Sequence, residues 1–119
     1  MMERLMEMAT DLGRALAQGD EYRVLKMAIA SADDDRAIAE SRRELEALEK
    51  RIEEALRAGG EPDDDLKKEY EDAVGRLQTN TTYQVLVSAQ ANFEKVILKV
   101  NQTIEEGIDK GSESRIVMP

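Results

Sequence analysis

Apolar residues recur at helical spacing along most of this chain, and the interruptions fall where helix ends are expected. Met2, Leu5, Ala9, Leu12 and Leu16 predict a first helix over about 2–18, and Gly19 followed by Asp20 reads as a C′ glycine handing over to an N-cap. Tyr22, Leu25, Ile29 and Ala32 then predict a short amphipathic helix that stops at Asp33-Asp34-Asp35. Between Asp35 and Ala58 the period tightens to heptads: Ile38, Leu45 and Ile52 repeat every seven, with Ser41, Leu48 and Ala55 in the alternate position. A seam of period 3.5 calls for a partner helix in knobs-into-holes packing, and small Ser41 and Ala55 let that partner come close.

Gly59-Gly60 ends this segment, and Glu61-Pro62-Asp63-Asp64-Asp65 opens the next with proline and acids where a helix start favours them. Leu66, Tyr70, Ala73, Val74 and Leu77 give that helix an apolar face, and Thr79-Asn80 supplies either a turn and cap or only a kink. The last helix, expected over Thr81–Lys110, is the most hydrophobic. At 100° per residue, Val85, Leu86, Ala89, Phe93, Val96, Ile97, Val100, Ile104 and Ile108 share an arc of about 140°, the width of a core-facing stripe. Val87, Ala91 and Leu98 lie outside it, as a subunit interface would.

The two long patterns, Asp33–Ala58 and Thr81–Lys110, would run roughly 38 and 45 Å at 1.5 Å per residue. A chain of about 100 residues has a radius of gyration near 13 Å when globular, so an elongated molecule is expected. An elongated hairpin buries its own apolar stripes poorly, and association follows from that. The expectation is an all-α fold, a long antiparallel helical hairpin with short N-terminal helices, assembling as a dimer or higher oligomer. Residues 1–111 form a single helical domain, with a disordered tail over 112–119. The interface is expected at Val87, Ala91 and Leu98 with Leu86, Phe93, Val96 and Val100. Its mechanism is helix-in-groove contact through Val85–Ile108 and Ile38–Leu56.

Composition narrows the function classes. Hydrophobic residues make up 41% and charged residues 36% of the 119, too apolar for disorder and rich in helix formers. The formal net charge is −9 with Lys and Arg interleaved among acids, which leaves no basic footprint for direct nucleic-acid binding. Cysteine and histidine are both absent, removing disulfides, thiolate chemistry, the usual zinc sites and the commonest general base. The Met1-Met2-Glu3-Arg4-Leu5-Met6-Glu7 start has no continuous apolar core, and no apolar run reaches membrane-spanning length. A soluble, cytoplasmic protein is expected.

The triplets Asp33–Asp35 and Asp63–Asp65 are the clusters that could hold a metal or do acid–base work. Adjacent helix residues point about 100° apart, however, and a helix N-terminus rewards negative charge, so capping is the simpler reading. A carboxylate-based metal module or metal-dependent enzyme built on these triplets is the alternative. Met1, Met2, Met6 and Met8 could form a plastic partner-binding surface, with core filling by Met2 and Met6 as the plainer account. No nucleophile–base pair and no phosphate loop can be assembled; no catalytic residue, cofactor or metal ligand is expected.

Asp11-Leu12-Gly13-Arg14-Ala15-Leu16, Glu21-Tyr22-Arg23-Val24-Leu25-Lys26, Asp33-Asp34-Asp35-Arg36-Ala37, the Ala58-Gly59-Gly60-Glu61 turn, Ala89-Gln90-Ala91-Asn92-Phe93 and Val100-Asn101-Gln102-Thr103-Ile104, taken in order, resemble the YlbF/YmcA family of small bacterial helical proteins, and within it the YheA-like branch. The resemblance implies a helical hairpin that associates as dimers or larger assemblies and a non-catalytic role. For some members it implies an accessory role: they join a third protein and influence ribonuclease Y and messenger RNA maturation. Expected partners are therefore a second copy, other YlbF/YmcA-type proteins or an RNA-processing enzyme, with neither nucleic acid nor membrane bound directly. Some members carry a cysteine-bearing C-terminal tail. With no cysteine here, this polypeptide supplies no thiolate to an iron–sulfur cluster.

Overall fold

The breaks read at Gly19, Asp33–Asp35, Gly59–Pro62 and Thr79-Asn80 all separate helices in the computed structural model, which describes the backbone of residues 1–117 and the side chains of residues 1–112. Five helices result: α1 Met2–Gln18, α2 Asp20–Asp34, α3 Arg36–Arg57, α4 Asp64–Gln78 and α5 Thr81–Val117. Contacts gather into two units, Lys26–Val87 and Met1–Leu25 with the chain from Ser88.

The first of these units is built on an antiparallel hairpin of α3 and α4. Leu48, Leu66 and Ala73 form its buried core, with Leu45, Ile52 and Tyr70 packed against them. This settles what covers the heptad seam of α3: the shorter α4 of the same chain does. The Ile38–Leu56 face is therefore not open to an outside partner as expected. Ile38, Ser41 and Leu48 are buried, and Leu56, next to the connection, is the large residue of that stretch left exposed. Ion pairs stitch the hairpin in reverse order, Arg76 to Glu44 at 2.6 Å and Arg51 to Glu69 at 3.4 Å. Each is solvent-exposed and contributes about 0.2–1 kcal/mol, so they set register more than stability.

The connection between α3 and α4 is tight for local reasons. Gly59 takes φ 81°, the left-handed region that costs an L-residue about 1–2 kcal/mol. Its N–H donates to the Leu56 carbonyl and that of Gly60 to the Ala55 carbonyl, the paired bonds of a Schellman end. Asp63 then accepts from the Leu66 N–H at 2.8 Å and starts α4. At the other end of α4, Thr79 closes the helix through its N–H to Gly75, and Asn80 caps α5 by accepting from the Tyr83 N–H at 2.9 Å. Thr79-Asn80 is thus a true helix boundary.

Two expectations are corrected. Gly19, not Asp20, opens α2, since its carbonyl accepts from the Arg23 N–H while Asp20 lies inside the first turn. Gly19 also sits at φ −74°, ψ 158°, extended backbone and not a left-handed C′ position. At the C-terminal end α5 continues to Val117, past the Lys110 ending expected, because neither Gly111 nor Ser112 blocks helical backbone and no proline intervenes before Pro119. The rest of the disorder expected over 112–119 lies outside the described residues.

Candidate functional site

In the unit formed by Met1–Leu25 and the chain from Ser88, α1 and the start of α2 lie along α5 in antiparallel sense. Tyr22 meets Phe93 with ring centroids 5.3 Å apart at a tilt of 59°, a favourable edge-biased geometry. Farther along, Leu12, Val96, Val100 and Ile104 line a groove of about 340 Å³ together with Lys99 and Thr103. The groove is apolar because the α1 stripe and the α5 arc both turn toward it.

The cover is incomplete. No residue of α1 is buried, although Leu16 is half-buried where it nears the next helix. Met2 is 66%, Leu5 48%, Met6 54% and Leu12 38% exposed, and on α5 Ile104 is 49% and Ile108 64% exposed. Large apolar residues in this density on one face mark an interaction surface more often than a free one. The periodic pattern of α1 had suggested core filling by Met2 and Met6; both are on the surface instead. Periodicity gives the face, and only the structure shows that nothing in the chain covers it.

The seven residues expected at an interface separate. Leu86 is 5% exposed and is spent inside the chain. Phe93 is half-buried against Tyr22, and Val96 and Val100 are half-buried in the groove wall. Ala91 and Leu98 are exposed on another side of α5, Leu98 at 58%. Val87, in the other unit, is also exposed. Sequence reasoning missed Leu5 and Leu12 as surface-forming residues, while it offered Met2 and Met6 as a partner-binding surface with core filling as the plainer account. Their signal was present, since an α1 with Met at three of its first seven positions is an adaptable, easily repacked face.

The aspartate triplets serve helix ends. Asp35 accepts from the Ile38 N–H at 2.9 Å and Asp63 from the Leu66 N–H at 2.8 Å. Asp33 lies 3.9 Å from Arg42, and Asp64 and Asp65 occupy the first turn of α4, where their charge complements the helix dipole. Among the described residues no three acidic side chains converge as a hard cation requires. No helix among them is long and apolar enough to cross a membrane.

The family model described as control of competence regulator ComK, YlbF/YmcA, matches residues 5–109. A UPF0342 protein of Levilactobacillus brevis is 22% identical over 108 residues, covering 91% of this chain and 95% of that protein. One from Bacillus cereus is 21% identical over 110 residues, covering 92% and 93%. A solved structure titled Protein of Unknown Function (DUF964) from Bacillus stearothermophilus shares the fold, with a TM-score of 0.62 at 18% identity over 90% of this chain and 94% of that one. With the match running from the first turn of α1 into the last third of α5, the chain belongs to the YlbF/YmcA family, a family described as regulatory.

Proposed function

We propose that this protein is a non-enzymatic regulatory partner of the YheA-like kind that associates with itself and acts on RNA processing indirectly, as an accessory factor for ribonuclease Y. The observation that carries the reading is the uncovered apolar face of α1 and distal α5, a surface suited to another helix. The family's description as control of a competence regulator supports a role exerted through other proteins. A net charge of −9 with no basic footprint supports an effect on RNA that passes through a partner enzyme.

Leu98 and Ala91, exposed on a different side of α5, are the surface offered to that enzyme. Purified ribonuclease Y captured on the immobilised full chain tests this. Capture by the parent chain, lost on Leu98→Asp with helicity unchanged, supports the reading; no capture by the folded parent at micromolar concentrations rejects ribonuclease Y as the partner.

A further inference from the structure

We infer that Met2, Met6 and Met8 form a reversible oxidation site, at which hydrogen peroxide converts exposed thioethers to sulfoxides and so releases the apolar face of α1 from its partner. The inference rests on the self-associating reading above and adds the chemistry that regulates it.

Sulfur is concentrated at one place in this chain. Four of the six methionines fall within the first eight residues, and with no cysteine the methionines are all the sulfur there is. Met2 and Met6 stand one turn apart on the α1 stripe, and Met8 borders it one turn before Leu12. Leucine matches methionine in helix propensity and would serve an apolar stripe as well. What methionine adds is a polarizable thioether that a two-electron oxidant makes polar.

These thioethers are within reach of a small oxidant. No residue of α1 is buried, and Met2, Met6 and Met8 are each more than half exposed. A sulfur lone pair attacks one oxygen of the peroxide, forming the S–O bond as the O–O bond breaks. Sulfur gives up two electrons, and the departing hydroxide takes the proton left on the transferred oxygen and leaves as water. Peroxide is both oxidant and oxygen source, so the step is balanced without a cofactor.

The product no longer suits the face. A sulfoxide oxygen is an acceptor in need of a donor, and Leu5, Ala9, Leu12, Ile104 and Ile108 carry none in their side chains. Thr103 already donates its hydroxyl to the Lys99 carbonyl at 2.9 Å. Lys99 lines the groove with Leu12, whose place on α1 is roughly 9 Å along the axis from Met6 and 15 Å from Met2. Water satisfies the new oxygens and a covering helix does not, so oxidation favours the dissociated chain. The start of α1 is also sensitive, because it opens at Met1 with no side-chain cap and depends on apolar contact to stay helical. Linkage runs both ways: association shields the sulfurs, so peroxide acts through the dissociated chain.

Met27 supplies an internal comparison. It is 70% exposed, but on α2 and in the other unit, so its oxidation leaves the α1 face unchanged.

The full-length chain is treated with millimolar hydrogen peroxide across a dilution series. Peptide mass spectrometry gives the oxidised positions, sedimentation velocity the mass and circular dichroism the helicity. Oxygen is expected at residues 2, 6 and 8, more slowly than at Met27 when the chain is concentrated and at a similar rate when it is dilute. The dissociation constant of the parent and of Met27→Leu rises about tenfold or more, and methionine sulfoxide reductases for both epimers restore it. The volume-conserving combination of Met2→Leu, Met6→Leu and Met8→Leu stays associated through the same treatment although its Met27 is oxidised. A parent oxidised at residues 2, 6 and 8 that associates as before overturns the inference and leaves self-association standing, as does a triple-leucine variant that dissociates like the parent. Residues 2, 6 and 8 that resist peroxide at every dilution while Met27 reacts overturn it too. A parent that is monomeric before treatment overturns both readings. Should the triple variant fail to fold, reversal of the parent by the reductases decides: dissociation that persists after the sulfoxides are removed contradicts the site.

Discussion

Replacing Asp63 with alanine separates the two readings of the aspartate triplets. In the structure the Asp63 carboxylate accepts the Leu66 N–H at 2.8 Å, and Leu66 is itself in the hairpin core, so the cap fixes the point where α4 meets α3. Loss of an N-cap oxygen costs about 0.5–2 kcal/mol, and the cap's charge at the dipole end places Asp63 in the middle of that span, near 1 kcal/mol. With a urea m-value of about 2 kcal/mol/M the midpoint falls by about 0.5 M, and the melting temperature falls by about 4 °C. Asp64→Ala, one residue later with no capping bond, shifts the midpoint by less than half as much. The measurement is urea denaturation followed at 222 nm at one fixed chain concentration, with and without millimolar Mg²⁺ or Mn²⁺. The capping argument fails if Asp64→Ala costs as much as Asp63→Ala. It fails equally if either cation raises the parent midpoint and the gain disappears with Asp63.

Other outcomes follow from the same structure. Leu48→Ala, at the centre of the α3/α4 core, lowers stability by about 2–5 kcal/mol, read from the same denaturation curves. Gly59→Ala forces a side chain onto φ 81° and costs about 1 kcal/mol or more, whereas Gly60→Ala, with no positive φ, costs measurably less. Gly107→Ala meets no atom of its own chain and raises the stability of the dissociated chain by about 0.5–1 kcal/mol, while its sedimentation profile shifts toward monomer if a second helix packs there.

Much of the fold was legible because its punctuation is chemical. The Gly59-Gly60 stop, the Asp63 start and the Asn80 cap each follow from backbone groups that need a particular φ or a particular acceptor, and the structure uses them so, with Pro62 standing one residue before the Asp63 cap and outside α4. Pairing was less legible. A period-3.5 seam on α3 states that a helix lies against it but carries no label for which one, and a local α4 reached by a short connection won over a partner from outside. The arc on α5 had the same ambiguity along its length: Leu86 and Ala89 are buried, Val96 and Val100 half-buried, Ile104 and Ile108 exposed, although all six satisfy the same periodicity. A stripe shows where burial is wanted, and only the neighbours decide how far along it burial is delivered.

Sedimentation equilibrium of the intact chain over a hundredfold concentration range, alongside Ile104→Glu, tests self-association through the α1/α5 face most directly. The account predicts a reversible species of twice the chain mass for the parent and a helical monomer for the variant. A parent that stays at one chain mass throughout, with α1 still helical, would contradict it, because the exposed stripe of α1 would then be stable uncovered.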